Sequence, residues 1–355
     1  MKKNLSIIIA TLDEENNINK LFQEIKKNLE KSELIWEIIF VDDSKDNKTS
    51  NVINNLRNTE NNIYLIKRHH NTGLSSALTL GALSSNSDYV LFIDADLQHP
   101  PEKIIDLFTE IYNNNLDLVS ASRFLEMNKL LYQKRYRASL FVNYLLKKLF
   151  KINYSDVLTG FFIINQKFLH KNYKSLSNIG FKLLLDIVLS TKQSIKYSEI
   201  PFEFKKRYSG ESKLNSKVVI DFITLIIDKL FGNLALGRYF IHSFIGSFVI
   251  IFQMSIFYIL YYFLNFHYSL FFSIFLTIYF NFRINNEISY SGLKKIGKFF
   301  YIGLIKYYFF CSFGAIFNFI LAKNLFDNYF NVYLAVLLGA LVGSLWNNSI
   351  NKSYK

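Results

Sequence analysis

The sequence predicts an α/β domain with a mostly parallel sheet covered on both faces, followed by an all-α membrane domain of four spans. Three observations predict it. Short β-rich runs alternate with helical patterns up to about residue 235, as strands joined by crossover helices do. From Tyr239 onward, long aromatic and aliphatic stretches carry few charges. Polar residues gather just beyond the apolar runs of the first half, where open α/β sheets bind their ligands.

The runs LSIIIA, EIIFVDD, IYLIKR, YVLFIDA and LDLVSA read as strands, with helices near 15–31, 47–57, 74–86 and 101–113. In the second half, segments near 239–264, 268–283, 299–322 and 329–347 are candidate spans, the second short of the usual ~20 residues. Turns such as NFHY at 265–268 would make them two hairpins. The loop between the second and third spans carries Arg283, Lys294, Lys295 and Lys298, whereas the hairpin turns hold only Lys323, partly offset by Asp327. Lysine and arginine favour the cytoplasmic side, so both ends of the domain and its middle loop are expected there. NFRIN at 281–285 echoes NNSIN at 347–351; related hairpins and compositional coincidence both account for this.

Two stretches read as amphipathic. Lys217, Asp221, Thr224 and Asp228 recur at helical spacing in SKVVIDFITLIIDKLF, and Ser139, Asn143 and Lys147 in RYRASLFVNYLLKKLF. Pattern alone fits a core helix or a headgroup-level helix, and the adjoining basic clusters favour the second. The expected division is 1–215 as catalytic domain, 216–234 as interfacial helix or linker, and 235–355 as membrane domain.

Composition narrows the function. Of 355 residues, 50% are hydrophobic and 17% aromatic, too apolar for an ordinary soluble chain, and the net charge is +13. Cations flanking apolar segments explain that charge by membrane proximity, and no nucleic-acid-binding motif is found. The single Cys311 excludes an internal disulfide or a cysteine zinc site, and the six histidines form no HExxH pair. The opening MKKNLSIIIATLDEEN breaks too early for a signal-peptide core, so the first domain is expected in the cytoplasm.

Beyond the strand ends stand Thr11, Asp13 and Glu14; Asp42 and Asp43; Lys67 and Arg68; Asp94, Asp96 and Gln98; Ser122 and Arg123. Any one could cap a helix, but five sets together point to one crevice. ATLDEEN lacks the glycines of a dinucleotide fold, and no Walker sequence occurs. A diphosphate would then need another source of positive charge. Asp96 and Gln98 offer the hard oxygen donors that Mg²⁺ or Mn²⁺ prefers, with Asp94 beside them facing the nucleotide and counted in the same metal set.

In order, IIIATLDEEN, FVDDSKD, HHNTGLSSAL, DADLQHPPE, SRF, DVLTGFF, GFK and KRYSGESKL resemble glycosyltransferase family two in its polyprenyl-phosphate branch, over residues 5–215. The membrane half resembles the small four-span GtrA-like domain. The resemblance implies a GT-A fold, a mixed Rossmann-like sheet, in which Thr11, Glu14, Asp42 or Asp43 and Asp94 hold the nucleoside and Asp96 and Gln98 the metal. It places Arg123, Arg137, Lys182, Arg207 and Ser212 around the sugar, the diphosphate and the acceptor phosphate, and leaves Asp186 undecided. Ala10 and Leu12 stand where the family commonly has proline and tyrosine, and the DDSKDNKT loop is about one residue short. Those departures touch the nucleoside contacts and not the metal motif.

The implied reaction moves a hexose from a nucleotide sugar, GDP-mannose or UDP-glucose, to a polyprenyl phosphate at the cytoplasmic membrane face, with inversion. Two alternatives stay open at this point: a hydroxyl-directed transferase of the same fold, and a non-catalytic membrane carrier or scaffold that retains the domain. The first would need a dedicated carboxylate base and often QxxRW, which is not found.

Overall fold

A computed structural model describes residues 4–70, 72–125, 134–210, 216–231, 234–288 and 297–351. The chain divides into two compact units, Met1–Leu214 and Asn215–Lys355.

Unit 1 is built on seven strands: β1 (Asn4–Thr11), β2 (Ile35–Asp42), β3 (Ile63–Lys67), β4 (Tyr89–Phe92), β5 (Leu118–Ser122), β6 (Phe162–Asn165) and β7 (Tyr197–Pro201). Their order in the sheet is β3-β2-β1-β4-β6-β5-β7. β1 pairs in parallel with β2 and β4, and β5 with β7, whereas β6 runs antiparallel to both β4 and β5. The sequence pattern missed β6 and β7. β6 is four residues inside a longer apolar stretch, and YSEIP carries a glutamate and a proline, so neither shows a clear period of two. β4 ends at Phe92, so Asp94 stands in the following loop and not on the strand.

Helices α1 (Glu15–Leu29), α2 (Lys48–Arg57), α3 (Leu74–Leu83), α4 (Ile104–Asn113), α5 (Lys134–Phe150), α6 (Gln166–Asn172) and α7 (Leu183–Ser190) complete the unit. Ile18, Leu21, Phe22, Ile25 and Leu29 form one stripe of α1, buried with Ile7, Ile9 and Phe40 of the sheet and Ile104, Leu107, Phe108 and Ile111 of α4. Burying each such side chain stabilises the fold by about 1.5–3 kcal/mol. On the opposite face α3 approaches so closely that a Cβ on Gly81 would lie 2.6 Å from Ile8 Cγ2 and 3.0 Å from Val41 Cγ2. Gly81→Ala is therefore expected to cost about 1–3 kcal/mol by overpacking, read as a lower denaturation midpoint.

Unit 2 contains α8 (Ser216–Phe231), α9 (Leu234–Tyr261), α10 (Phe266–Ile288), α11 (Lys298–Asp327) and α12 (Val332–Asn351). The NFHY turn is displaced: Phe266 already begins α10, and Asn265 caps it by accepting the Tyr268 N–H at 3.1 Å. α12 packs on α11 through small residues: a Cβ on Gly339 would meet Asn318 O and Oδ1 at 2.6 Å, and one on Gly343 the Gly314 carbonyl at 3.1 Å. The buried Asn318 amide donates to Gln253 Oε1 at 3.2 Å, linking α11 to α9. Small interfaces with amide hydrogen bonds are how helices associate where the surrounding solvent is itself apolar. Among the described residues one helix, Lys298–Asp327, is long and apolar enough to cross a bilayer, and Gly246–Tyr261 and Val332–Ser344 are shorter apolar stretches.

Candidate active site

The first wall of the crevice is the end of β1 and β2. Thr11 Oγ1 donates to Asp42 Oδ1 at 3.1 Å, and Asp13, with φ of 52°, directs its N–H to Ser44 Oγ at 2.8 Å. Asp42 is fully buried and receives Ser44 N–H (3.0 Å), Ser44 Oγ (2.5 Å), Ser50 Oγ (2.5 Å) and Lys67 Nζ (2.8 Å). Burial alone would push its carboxyl up, but Lys67 and the hydroxyl and amide donors overcome this and hold it below the ordinary carboxylate range. Asp42 thus orders the loop, since no part of it reaches the surface. Asp43 takes a bidentate pair from Arg68, Nε–Oδ1 2.7 Å and Nη2–Oδ2 2.5 Å, and the Gly73 N–H at 2.9 Å. Lys67 and Arg68, grouped by the sequence with the crevice, are thereby the counter-charges of Asp42 and Asp43. Glu14 is half-buried, its Oε2 accepting from Asn17 Nδ2 at 2.5 Å.

The second wall is the loop after β4. Leu97 has φ of 62°, a costly conformation for a branched side chain, and the turn it makes returns the Gln98 N–H to Asp96 Oδ1 at 3.0 Å. Residues 205–208 run alongside: Lys205 N–H donates to Gln98 O at 3.0 Å, Tyr208 N–H to Asp96 O at 3.1 Å, and Arg207 Nη2 lies 2.9 Å from Asp96 Oδ2. Asn17 Nδ2 also donates to Ser209 O at 3.3 Å, so this segment reaches the β1 wall. DADLQ and KRYSG, far apart in the chain, are thus one structural clip.

Charge in the clip is unevenly solvated. Burial raises the Asp96 carboxyl, and the neighbouring Asp94 charge raises it further, against the Gln98 N–H and Arg207. Burial also raises Asp94, opposed by Lys182, Arg207 and Arg123, although its side chain keeps 40% exposure to the crevice. His99 is 2% exposed, stacked on Phe161, and its Nδ1 accepts the Asp94 N–H at 3.2 Å. Burial pushes the imidazole down to about 3, so the ring is neutral.

Arg123, just past β5, is held by the fully buried Asp156 through Nε–Oδ2 at 2.6 Å and Nη2–Oδ1 at 2.9 Å, and donates to Ser139 Oγ on α5 at 3.3 Å. Lys182 Nζ donates to Leu158 O at 2.6 Å; burial first and Arg123 second push its ammonium down to about 8, with Asp94 opposing. Arg137 is exposed on the first turn of α5, two residues before Ser139. Asp186 is fully buried and accepts Ser177 N–H at 3.1 Å and Asn178 N–H at 2.9 Å, closing the loop ahead of α7. Ser212 lies outside the described residues. Reasoning from sequence overlooked Asp156, His99 and Gly160 as parts of the site. The usable signal was an aspartate and a glycine inside the apolar run DVLTGFF.

The donor chemistry fits a hard divalent cation. Two carboxylates and an amide, all oxygen donors, meet where burial and like charge already disfavour ionising both acids. Gln98 Nε2 donates to Lys205 O at 3.3 Å, so its amide oxygen is the atom that a cation would use. Among the described residues no group of three His, Cys, Asp or Glu that could hold a metal ion occurs.

The sequence model of Glycosyl transferase family 2 matches residues 6–173. The chain is 30% identical over 231 residues to a dolichol-phosphate mannosyltransferase of Mycosarcoma maydis, covering 63% of this chain and 78% of that one. The chain belongs to glycosyl transferase family 2. It is also 33% identical over 225 residues to the dolichol-phosphate mannosyltransferase of Pyrococcus furiosus, covering 62% of this chain and spanning 61% of that relative's length. Among solved structures, glucosyl-3-phosphoglycerate synthase from Mycobacterium tuberculosis with Mn²⁺, UDP-glucose and phosphoglyceric acid aligns at a TM-score of 0.48 and 15% identity, covering 63% of this chain and 79% of that one.

Proposed function

We propose that unit 1 of this family 2 chain transfers a hexose from GDP-mannose or UDP-glucose to a polyprenyl phosphate, with inversion at the anomeric carbon. The observation that carries this reading is the clip joining Asp96 and Gln98 to residues 205–208, which gathers oxygen donors and a guanidinium at the rim of one crevice. A Mg²⁺ or Mn²⁺ held by Asp96 and Gln98, with Asp94 adjacent, would neutralise charge on the diphosphate. Thr11, Glu14 and Asp43 would line the nucleoside side, with Asp42 ordering their loop. Arg123, Lys182 and Arg207 would supply positive charge for two mutually repelling anions, with Arg137 assigned to the acceptor side and Ser212 to the nucleotide sugar. A phosphate monoester with a second pKa of about 6 is already mostly dianionic at neutral pH, so no strong general base is required. What the protein must supply is placement and charge. A panel of nucleotide sugars with purified protein, polyprenyl phosphate and Mg²⁺ or Mn²⁺, followed by mass analysis of the lipid, tests this. No glycolipid product with any donor would refute it.

Lys182 gives the reading a pH signature. Its ammonium, ordinarily charged to above pH 10, loses its proton near 8 in the free protein. Charge that attracts the donor is present below that pH and lost above it. The kcat/KM for donor is expected to fall as pH rises through about 8, and Lys182→Met should lower the plateau and remove that limb.

The exposure of two helices supports a membrane-surface setting. On α5, Asn143 is buried, its Oδ1 accepting the Val157 N–H at 3.1 Å, while Phe141, Tyr144, Leu145 and Leu149 are exposed. On α8, Thr224 and Asp228 are buried while Val219, Ile223, Leu230 and Phe231 are exposed. Each helix turns part of its polar stripe inward and apolar side chains outward, the reverse of a core helix in water, and this favours burial of those faces among lipid headgroups. The wider reading is a multi-pass protein with a GtrA-like four-helix unit and the catalytic unit on the cytoplasmic side.

A further inference from the structure

We propose that Gly160 and His99 are positioning residues for Asp94, setting where its carboxylate lies against the crevice floor. This inference rests on the donor-site reading above. Gly160 sits in the loop between α5 and β6, immediately before Phe161. A Cβ at this position would stand 3.3 Å from both Asp94 oxygens and 3.4 Å from His99 Cε1. Near-equal distances to the two oxygens mean that the carboxylate group is packed against this glycine. The backbone there is not in the left-handed region, so alanine would bring a steric effect without conformational strain.

His99 closes the other side. Its Nδ1 accepts the Asp94 N–H at 3.2 Å and lies 3.6 Å from Asp94 Oδ2. Its ring is stacked on Phe161 with centroids 5.2 Å apart, and Phe202 and Phe204 meet it edge-on at 5.8 Å. Three aromatic neighbours hold the imidazole in place. An added methyl group at residue 160 needs a few tenths of an ångström from its surroundings, and His99 is the side that resists. The Asp94 carboxylate, 40% exposed, yields instead and shifts in the crevice. Gly81 is the internal contrast: its Cβ would meet the core side chains Ile8 and Val41, so a methyl group there taxes stability alone.

The test uses the full chain in detergent micelles, with Mn²⁺ binding followed by electron paramagnetic resonance and Mn²⁺-dependent binding of GDP or UDP by calorimetry. Gly160→Ala is expected to melt within about 3 °C of the unaltered protein. The same variant should lose about tenfold or more in Mn²⁺-dependent nucleotide affinity, as removal of groups that orient a metal site does. Gly81→Ala should show the opposite pair of effects. His99→Phe, which cannot accept the Asp94 N–H, should match the Gly160→Ala loss, and His99→Gln, whose side-chain carbonyl can, should recover to within about threefold. Unchanged affinity in folded Gly160→Ala overturns the proposal, and so does an equal loss in the two His99 variants, which decide the matter alone if Gly160→Ala does not fold. Absence of Mn²⁺-dependent nucleotide binding in the unaltered chain overturns the donor-site reading itself, and this inference with it.

Discussion

Replacing Asp96 by alanine is expected to lower glycolipid formation by about a thousandfold, equivalent to about 4 kcal/mol of transition-state stabilisation. Asp96 accepts the Gln98 N–H and pairs with Arg207, so one substitution would remove a proposed metal ligand and release the guanidinium that would meet the diphosphate. Exhaustive EDTA should have the same effect on the unaltered enzyme and be reversed by Mn²⁺. The fold should survive, because the Arg207 side chain is 25% exposed and can be hydrated once its partner is gone. Single-turnover transfer from labelled donor measures the loss. Activity within tenfold of the unaltered protein, or persistence under EDTA, would remove the basis of the proposed mechanism.

Removal of residues 215–355 separates donor chemistry from acceptor delivery. Unit 1 has its own buried core of β1, β2 and β4 packed with α1 and α4, so Met1–Leu214 is expected to fold and to bind nucleotide. Turnover with a long-chain polyprenyl phosphate in vesicles should fall by roughly a hundredfold, the scale of advantage that confining two reactants to one surface provides. A short-chain, soluble phosphate should be used with nearly unchanged kcat/KM. Equal activity of both forms on the long-chain acceptor would mean that unit 2 has no part in presenting it.

Much of unit 1 could be read locally. The stripe of Ile18, Leu21, Phe22, Ile25 and Leu29 announces α1, and five of the seven strands stand out as short β-rich runs between helical patterns. The two missed strands were harder to read, because β6 is only four residues of a longer apolar stretch and β7 carries a glutamate and a proline, so neither shows a clear period of two. The site was legible to a different degree. DADLQ stands out as carboxylates and an amide ending an apolar segment, and that spacing is local. The burial of Asp42, the pairing of Arg123 with Asp156 and the packing of Asp94 on Gly160 are not, since each joins residues from separate segments. The same holds for α5 and α8, where periodicity revealed a polar stripe and only burial showed that part of it faces inward.

By itself, the order of residues determined the alternating α/β half, the apolar second half and the cluster of hard oxygen donors after β4, because hydropathy and ligand chemistry belong to each residue wherever it folds. The tertiary structure decided which acids are neutralised, which are left facing the crevice and what holds them there. Solvation and charge pairing depend on neighbours that only chain closure brings within a few ångströms.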